Sequence, residues 1–438
     1  MSGTGVPVPD PVPRAACVFA RGKWYHLDRL MRRTSPGQAT GGPGGEVGIV
    51  ISCFSRVGGI GIANVLFHTA RAAHRAQLLD AVICYGNRQK EIPRRFIRPV
   101  RLQPAKPFSF LRARYYYTLK RMTLDRTARR YLRRNGCDIF HGWTNECIRS
   151  LEEARRVGAK TIVERPAPHP AGTRRLLREE HERWGIPLSR DDGIRWLRKI
   201  DLGYRDEVVA PEEFALADRV VVQSEFGVQS FLEEGFPRER LVLLPRAADI
   251  GDFPRSSAEK PGFRVLFVGM VCLRKGFLDL ARAWADLSLP GAELWVVGQI
   301  DDEVVPLLKP YRDNPSIRFF GHVTEGVARW FTEADVFILP SIVEGSAKTT
   351  YEAMAAGLPV ITTANAGSTV RDGVDGYIVP IRSPEAIREK LLFLYENREA
   401  VRDMGISARR RIASFSWETY EGRIVSLYRE LLGTGHAA

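Results

Sequence analysis

No apolar run in this chain approaches the roughly 18 to 20 residues that a membrane-spanning helix needs. Cysteine is scarce, six in 438 residues at positions 17, 53, 84, 137, 147 and 272, with no C-x-x-C pair. That spacing excludes a zinc ribbon or a redox dithiol, and in a chain of this length it predicts reduced thiols rather than a disulfide framework. The eight histidines form no H-x-x-x-H pair and no Cys/His cluster. No metal site is therefore expected, and Asp301-Asp302-Glu303 reads as a solvated surface loop. A dinucleotide fingerprint is also missing: Gly59-Ile60-Gly61 runs on to Asn64 where a third glycine would be needed, which argues against a dehydrogenase. The first residues carry prolines where a secretory leader needs an apolar core, so a cytoplasmic location is expected. No internal repeat or heptad pattern is seen.

What is present describes an ordinary globular protein, 44% hydrophobic and 26% charged, long enough for two domains. Its charge of +14 is unevenly spread. From Arg255 onward there are 22 Lys and Arg against 23 Asp and Glu, which leaves 43 against 28 in the part before it. Such a lopsided field concerns partners rather than fold.

Residues 1–45 are rich in Gly and Pro and read as a loose extension, with a short strand at Cys17–Ala20 and a helix over Trp24–Arg33 as its only candidate elements. Order is expected from Val47–Cys53, an apolar run suited to a strand buried on both faces. A glycine loop, a helix from Ile62 to about Ala76 and a strand at Ala81–Tyr85 complete a βαβ unit. Further strands are predicted at Asp138–His141, Thr161–Val163 and Arg219–Val222. A second series follows a connector that ends near Gly262, with strands at Arg264–Val268, Glu293–Val297, Ile317–Phe319, Val336–Leu339, Val360–Thr362 and Gly376–Val379. The fold class is α/β, with two doubly wound domains spanning residues 46–254 and 255–414.

Two stretches carry chemistry. In the first, a buried strand ends at Pro340, and a small-residue loop leads into a helix whose first turn is expected to hold Gly345, Ser346 and Ala347, followed by Lys348. The free N–H groups and positive dipole of that helix start suit a diphosphate. Glu344 and Glu352 stand eight residues apart, about 800° of helix, so both carboxylates are expected on one side. In the second stretch, a strand runs into Gly269, and Arg274 and Lys275 stand before the next helix, placed to clamp a pyrophosphate. In the first half, Gly58 and Gly59, His141 and the run from Glu164 to His169 follow strand ends and are candidates for the cleft.

Residues 264–380 resemble the donor domain of the retaining family 4 glycosyltransferases, through the E-x7-E spacing of Glu344 and Glu352, the flanking Pro340-Ser341 and Glu352-Ala-Met-Ala-Ala-Gly-Leu-Pro-Val360, and Gly269 with Lys275-Gly276. The resemblance extends weakly over residues 47–250 and through the Phe415–Tyr428 segment. It implies a GT-B fold, two Rossmann-like domains facing each other across a cleft, with a terminal helix (415–438) crossing back to the first. It implies a nucleoside-diphosphate-sugar donor, a glycan or lipid-linked acceptor, envelope or extracellular polysaccharide synthesis and no cofactor. By the same resemblance Glu344 contacts the sugar, Glu352 the ribose and Lys275 the diphosphate, while the family's sugar-contacting histidine of the first domain aligns with Glu164, with His169 nearby as the catalytic candidate. Departures include Met270 where arginine is usual, with Arg274 taking over its charge. Pro245–Asp249 and Ala366-Gly367-Ser368 also differ from the family pattern. Within the same fold an epimerase or a phosphorylase remains an alternative, and a basic nucleic-acid-binding protein is a different one that leaves both carboxylates unexplained.

Between Arg94 and Arg134 there are fourteen Lys and Arg and one acid, Asp125, interleaved with Phe108, Phe110, Tyr115, Tyr116, Tyr117 and Tyr131. This belt reads either as a solvated helix face or as a peripheral docking surface for anionic lipid. No RNA-binding motif accompanies it.

Overall fold

The computed structural model describes residues 17–20, 23–26, 48–100, 113–187, 199–251, 253, 262–323 and 325–434. Two short strands near the N-terminus, β1 (Cys17–Ala20) and β2 (Lys23–His26), pair antiparallel as a hairpin. Trp24 thus lies in a strand and not at the start of a helix. The rest of the extension, and Phe108 and Phe110 of the belt, fall outside the described residues.

Seven parallel strands form the first sheet: β3 (Ile49–Ser52), β4 (Leu79–Cys84), β5 (Ile97–Pro99), β6 (Ile139–Trp143), β7 (Lys160–Arg165), β8 (Arg219–Val222) and β9 (Leu241–Leu243), in the order 5-4-3-6-7-8-9. Six more make the second: β10 (Phe263–Val268), β11 (Ala292–Val297), β12 (Ile317–Gly321), β13 (Val336–Leu339), β14 (Val360–Thr362) and β15 (Gly376–Ile378), ordered 12-11-10-13-14-15. In both orders the winding reverses beside the first strand, at β3/β6 and at β10/β13. Open α/β sheets take ligands at the carboxyl ends of the strands flanking such a reversal.

The central strands are apolar runs because helices cover both faces. Ile49 and Ile51 of β3 join one buried cluster and Val50 the other. Helices α1 (Ile62–Arg75), α2 (Ala113–Asn135), α3 (Ile148–Arg156), α4 (Pro170–Trp184), α5 (Leu202–Leu216) and α6 (Glu225–Leu232) accompany the first sheet. The second has α7 (Phe277–Ala285), α8 (Lys309–Arg312), α9 (Val327–Glu333), α10 (Lys348–Ala356), α11 (Pro384–Glu396) and α12 (Arg398–Ala413). The last helix, α13 (Trp417–Leu431), starts on a Ser416 cap and buries Tyr420, Ile424, Leu427 and Tyr428, one stripe at helical spacing. That stripe packs with α1 and β3, so the chain crosses back to its first half.

The basic belt is less free than its composition suggests. Arg121 pairs with Glu146 at 2.8 Å, and Arg129 and Arg133 both pair with Glu153, a carboxylate on α3 with almost no exposure. Tyr115 is buried and the Tyr131 hydroxyl donates to Asp80, so neither ring faces outward for a lipid headgroup. Arg126, Arg130 and Arg134 lie exposed at a four-residue spacing along one face of α2. No helix among the described residues is long and apolar enough to cross a membrane.

Candidate functional site

The second sheet's reversal holds the expected cluster. Beyond β10 the chain turns at Gly269 and runs to Gly276, whose φ of +66° suits glycine. A Cβ there would fall 2.0 Å from the Pro340 carbonyl oxygen, so only glycine lets this loop lie across the end of β13. The Ile342 N–H donates to the Arg274 carbonyl at 2.9 Å and ties the two loops together. Lys275 Nζ then stands 2.7 Å from Glu344 Oε1, and Arg274 pairs with the same oxygen. Met270, where the family pattern has arginine, presents an apolar side chain that is 44% exposed. The Asp301–Glu303 loop proves to be part of the scaffold: Asp301 caps its own turn, and Glu303 accepts from the Leu273 N–H at 3.4 Å. Among the described residues no group of three or more His, Cys, Asp or Glu is arranged to hold a metal.

The helix after Glu344 begins later than its sequence suggests. α10 starts at Lys348 with Ala347 as its cap, so Gly345, Ser346 and Ala347 form the approach to the helix rather than its first turn. The angular argument for Glu344 and Glu352 therefore does not hold. Glu344 is placed by the loop, where its N–H donates to the Asn365 carbonyl, and by its two cations. Glu352 pairs with Lys348 one turn away on the helix. Alanine at the cap has no side chain to offer, so the helix start has no side-chain cap.

Residues of the first half close over this approach. Ser224 Oγ donates to the Gly345 carbonyl at 2.5 Å, and a Cβ on Gly345 would meet the Pro166 carbonyl oxygen at 1.8 Å. Arg246 reaches the Ser346 carbonyl at 3.3 Å, while its buried Nε has no partner among the described residues. Burial pushes the Arg246 guanidinium below its ordinary value, offset in part by Tyr351, Glu352, Asp249 and Glu344. Arg246 lies in the Pro245–Asp249 segment that departs from the family pattern, whereas Ser224 stands in no motif and only the meeting of the two halves reveals it.

The candidates of the first half divide. Gly59 and Ile60 form the tip of the loop after β3, with Ile60 90% exposed, and Gly58 packs back against Gln89. This loop lies at the first sheet's own reversal. His141 and Glu164 do not face a cleft. His141 is wholly buried, with Nδ1 2.8 Å from the Tyr428 hydroxyl and Nε2 3.4 Å from Glu164 Oε1, which in turn faces the Tyr420 hydroxyl. Both tyrosines belong to α13, so these strand-end polar groups hold the returning helix. His169 caps α4: its Nδ1 accepts from the Ala171 N–H, and its ring rests against Phe214 and Phe231. Burial, helped by Arg165, pushes its pKa down to about 4, which keeps the ring neutral and able to accept. The loops beside it are braced by Asp206, which links Asn145 on the loop after β6 to Arg165 on β7. Asn145 is held at φ +72° with its N–H on the buried Glu213 carboxylate.

Comparison with known proteins gives the family and the fold. Residues 262–397 match the family model described as Glycosyl transferases group 1. A D-inositol 3-phosphate glycosyltransferase of Paenarthrobacter aurescens is 33% identical over 287 residues, covering 58% of this chain and 69% of that one. The match is shorter for the enzyme of that name from Streptomyces griseus, 36% identical over 25% of this chain and 23% of its own. The capsular polysaccharide biosynthesis glycosyltransferase CapM of Staphylococcus aureus is 28% identical over 39% of this chain and 47% of its own. Among solved structures, sucrose-phosphate synthase from Thermosynechococcus elongatus superposes with a TM-score of 0.61 at 18% identity, over 89% of this chain and all of that one. WaaG, a glycosyltransferase of lipopolysaccharide biosynthesis, gives 0.60 at 16% over 86% of this chain and 99% of its own. These structures share the fold, two facing parallel-sheet halves of the GT-B type. With its paired carboxylates and cations at the second sheet's reversal, the chain belongs to the group 1 glycosyltransferases.

Proposed function

We propose that this protein is a retaining transferase that moves a sugar from a nucleoside-diphosphate donor to a glycan or lipid-linked acceptor in envelope or extracellular polysaccharide synthesis. The observation that carries the reading is Glu344 held between Arg274 and Lys275 beside the uncapped start of α10. A donor's diphosphate would draw both cations toward itself and lie against the helix start, while the freed Glu344 carboxylate turns to the sugar. As the bond to the leaving phosphate breaks, the charge that grows there meets preorganised cations and N–H dipoles. Arg246 is a third cation in reach of this region, with an Nε still to be satisfied. The E-x7-E resemblance supports retention, and the name of CapM supports a polysaccharide pathway. Uridine is the first base to try, because the related fold of an Anabaena protein, HepE, has been solved with UDP-glucose.

Calorimetry with UDP, ADP and GDP tests the donor site directly. One of them is expected to bind, and Lys275→Ala should weaken it at least roughly tenfold, since a charged contact is worth about 1.5–3 kcal/mol. Unchanged affinity in the variant would sink this placement of the diphosphate. The anomeric configuration of the product, read by NMR, tests retention.

A further inference from the structure

At the carboxyl ends of β3 and β4, away from the cluster around Glu344, a lysine sits among aromatic rings. Lys120 Nζ lies 4.7 Å from the ring centre of Tyr85, 5.5 Å from those of Phe54 and Tyr116, and 5.8 Å from that of Tyr117. The rings brace one another, with Phe54 and Tyr85 edge to face at 5.0 Å, and the Tyr85 hydroxyl donates to the Lys120 carbonyl at 2.7 Å. Arg56, on the loop that leads to Gly58, stands close enough to act on Lys120 electrostatically, and its stem crosses Gly86.

Among the described residues no acid pairs with either cation of this corner. Glu146, on the loop after β6, is already taken by Arg121 and the Phe54 N–H. Neither Lys120 nor Arg56 forms an ion pair among the described residues, and residues 101–112, which lead into α2, contain no Asp or Glu. Rings attract an ammonium group but do not neutralise it. Two cations are thus gathered at a sheet reversal with no ion-pair partner among the described residues, beside a Tyr117 ring that is 47% exposed.

We propose that Lys120, Arg56 and Tyr117 form an acceptor subsite for a phosphate-bearing sugar, the ring lying under the sugar and the two cations on the phosphate. The location suits an acceptor. Pro166, which touches Gly345 of the donor loop, follows β7, whereas Phe54 and Tyr85 follow strands two and three places along the same sheet. At about 4.8 Å per strand the corner lies roughly 10–14 Å from that contact. A group held there sits further along the acceptor than its reacting hydroxyl. Burial and the nearby Arg56 lower the Lys120 pKa, the direction expected of an ammonium awaiting an anion.

The inference rests on the donor site lying around Glu344, and the test separates the two. With UDP at saturation to fill the donor site, α-D-glucose 1-phosphate and methyl α-D-glucoside are titrated into the full chain by calorimetry. The phosphate ester is expected to bind at least tenfold more tightly than the neutral glycoside. Lys120→Met should abolish that preference without changing UDP affinity, and Arg56→Gln should reduce it, which provides a second reading if the first variant folds poorly. No preference in the wild type, or a preference that survives both substitutions, overturns the proposal. So does a Lys120→Met variant that loses binding to vesicles of anionic lipid while keeping its affinity for glucose 1-phosphate, since the phosphate recognised would then be a headgroup. Failure of UDP to bind at all would count against the donor reading instead.

Discussion

Glu344 meets two cations with one carboxylate oxygen, and its charge therefore holds Arg274 and Lys275 in place. Glu344→Gln keeps the shape and removes the charge. Transfer should fall by roughly 10²–10³, the loss seen when one preorganised electrostatic group is removed, with little change in melting temperature. Rate and melting are to be measured together, and near-wild-type turnover would take Glu344 out of the mechanism. His169 invites a different experiment. Its folded pKa of about 4 lies below the usual 6.5, so between those values the unfolded chain binds a proton that the native ring refuses. Stability from this group is complete above pH 6.5 and is lost as pH falls toward 4, by up to about 3 kcal/mol. Asparagine caps a helix without titrating, and His169→Asn should remove that slope. Glu146 and Glu213, both raised to about 7 chiefly by burial, act with the opposite sign, so the quantity to compare is the difference between variant and wild type in urea at pH 7 and 4.5. An unchanged slope would show that His169 is not its source.

Among the elements, α2 separates two kinds of arginine. Arg126, Arg130 and Arg134 share an exposed face, and changing all three to Gln should weaken binding to anionic vesicles about a hundredfold, at roughly 1 kcal/mol per charge. Co-sedimentation decides it, and equal binding by wild type and variant, or none by either, would leave α2 as a solvated face. Arg129 and Arg133 should behave otherwise. Burial works against the Glu153 charge, but the arginines around it hold its pKa at about 2, and removing two of them leaves a buried carboxylate with Arg156 alone and lowers stability. The sequence made the central strands legible because both of their faces are apolar. It concealed β5 and β9, three residues each at a sheet edge, where little apolar pattern is needed. That Glu344 and Lys275 come together was legible through their motifs, whereas the spacing of Glu344 and Glu352 misled because the helix begins only at Lys348. His141 and Glu164 misled, because a polar residue at a strand end looks the same whether a ligand or a distant helix covers it. The partner that decides the matter, Tyr428, lies 287 residues from His141.

The molecule as a whole closes at a point where one half offers no side chain. Gly345 lies against the Pro166 carbonyl, and a methyl group there would need more than an ångström of separation between the halves. Gly345→Ala should therefore bind nucleotide nearly normally, through the second half, yet transfer at least about a hundredfold more slowly, the usual result of displacing reacting groups by an ångström. Equal rates would mean that the halves need not approach so closely. The connections between them are also fastened to each other, by the Ala248 N–H on the Phe415 carbonyl and by Trp417 Nε1 on Asp249 at 2.6 Å. The helix beyond that fastening has a consequence for how the protein is made. The first half's core takes in Tyr420, Ile424, Leu427 and Tyr428, yet its own last strand ends at Leu243. At about 5–20 residues per second a ribosome needs roughly 10 to 35 seconds to go from one to the other. Throughout that interval His141 and Glu164 have no tyrosines to meet, and the half that was synthesised first is completed last.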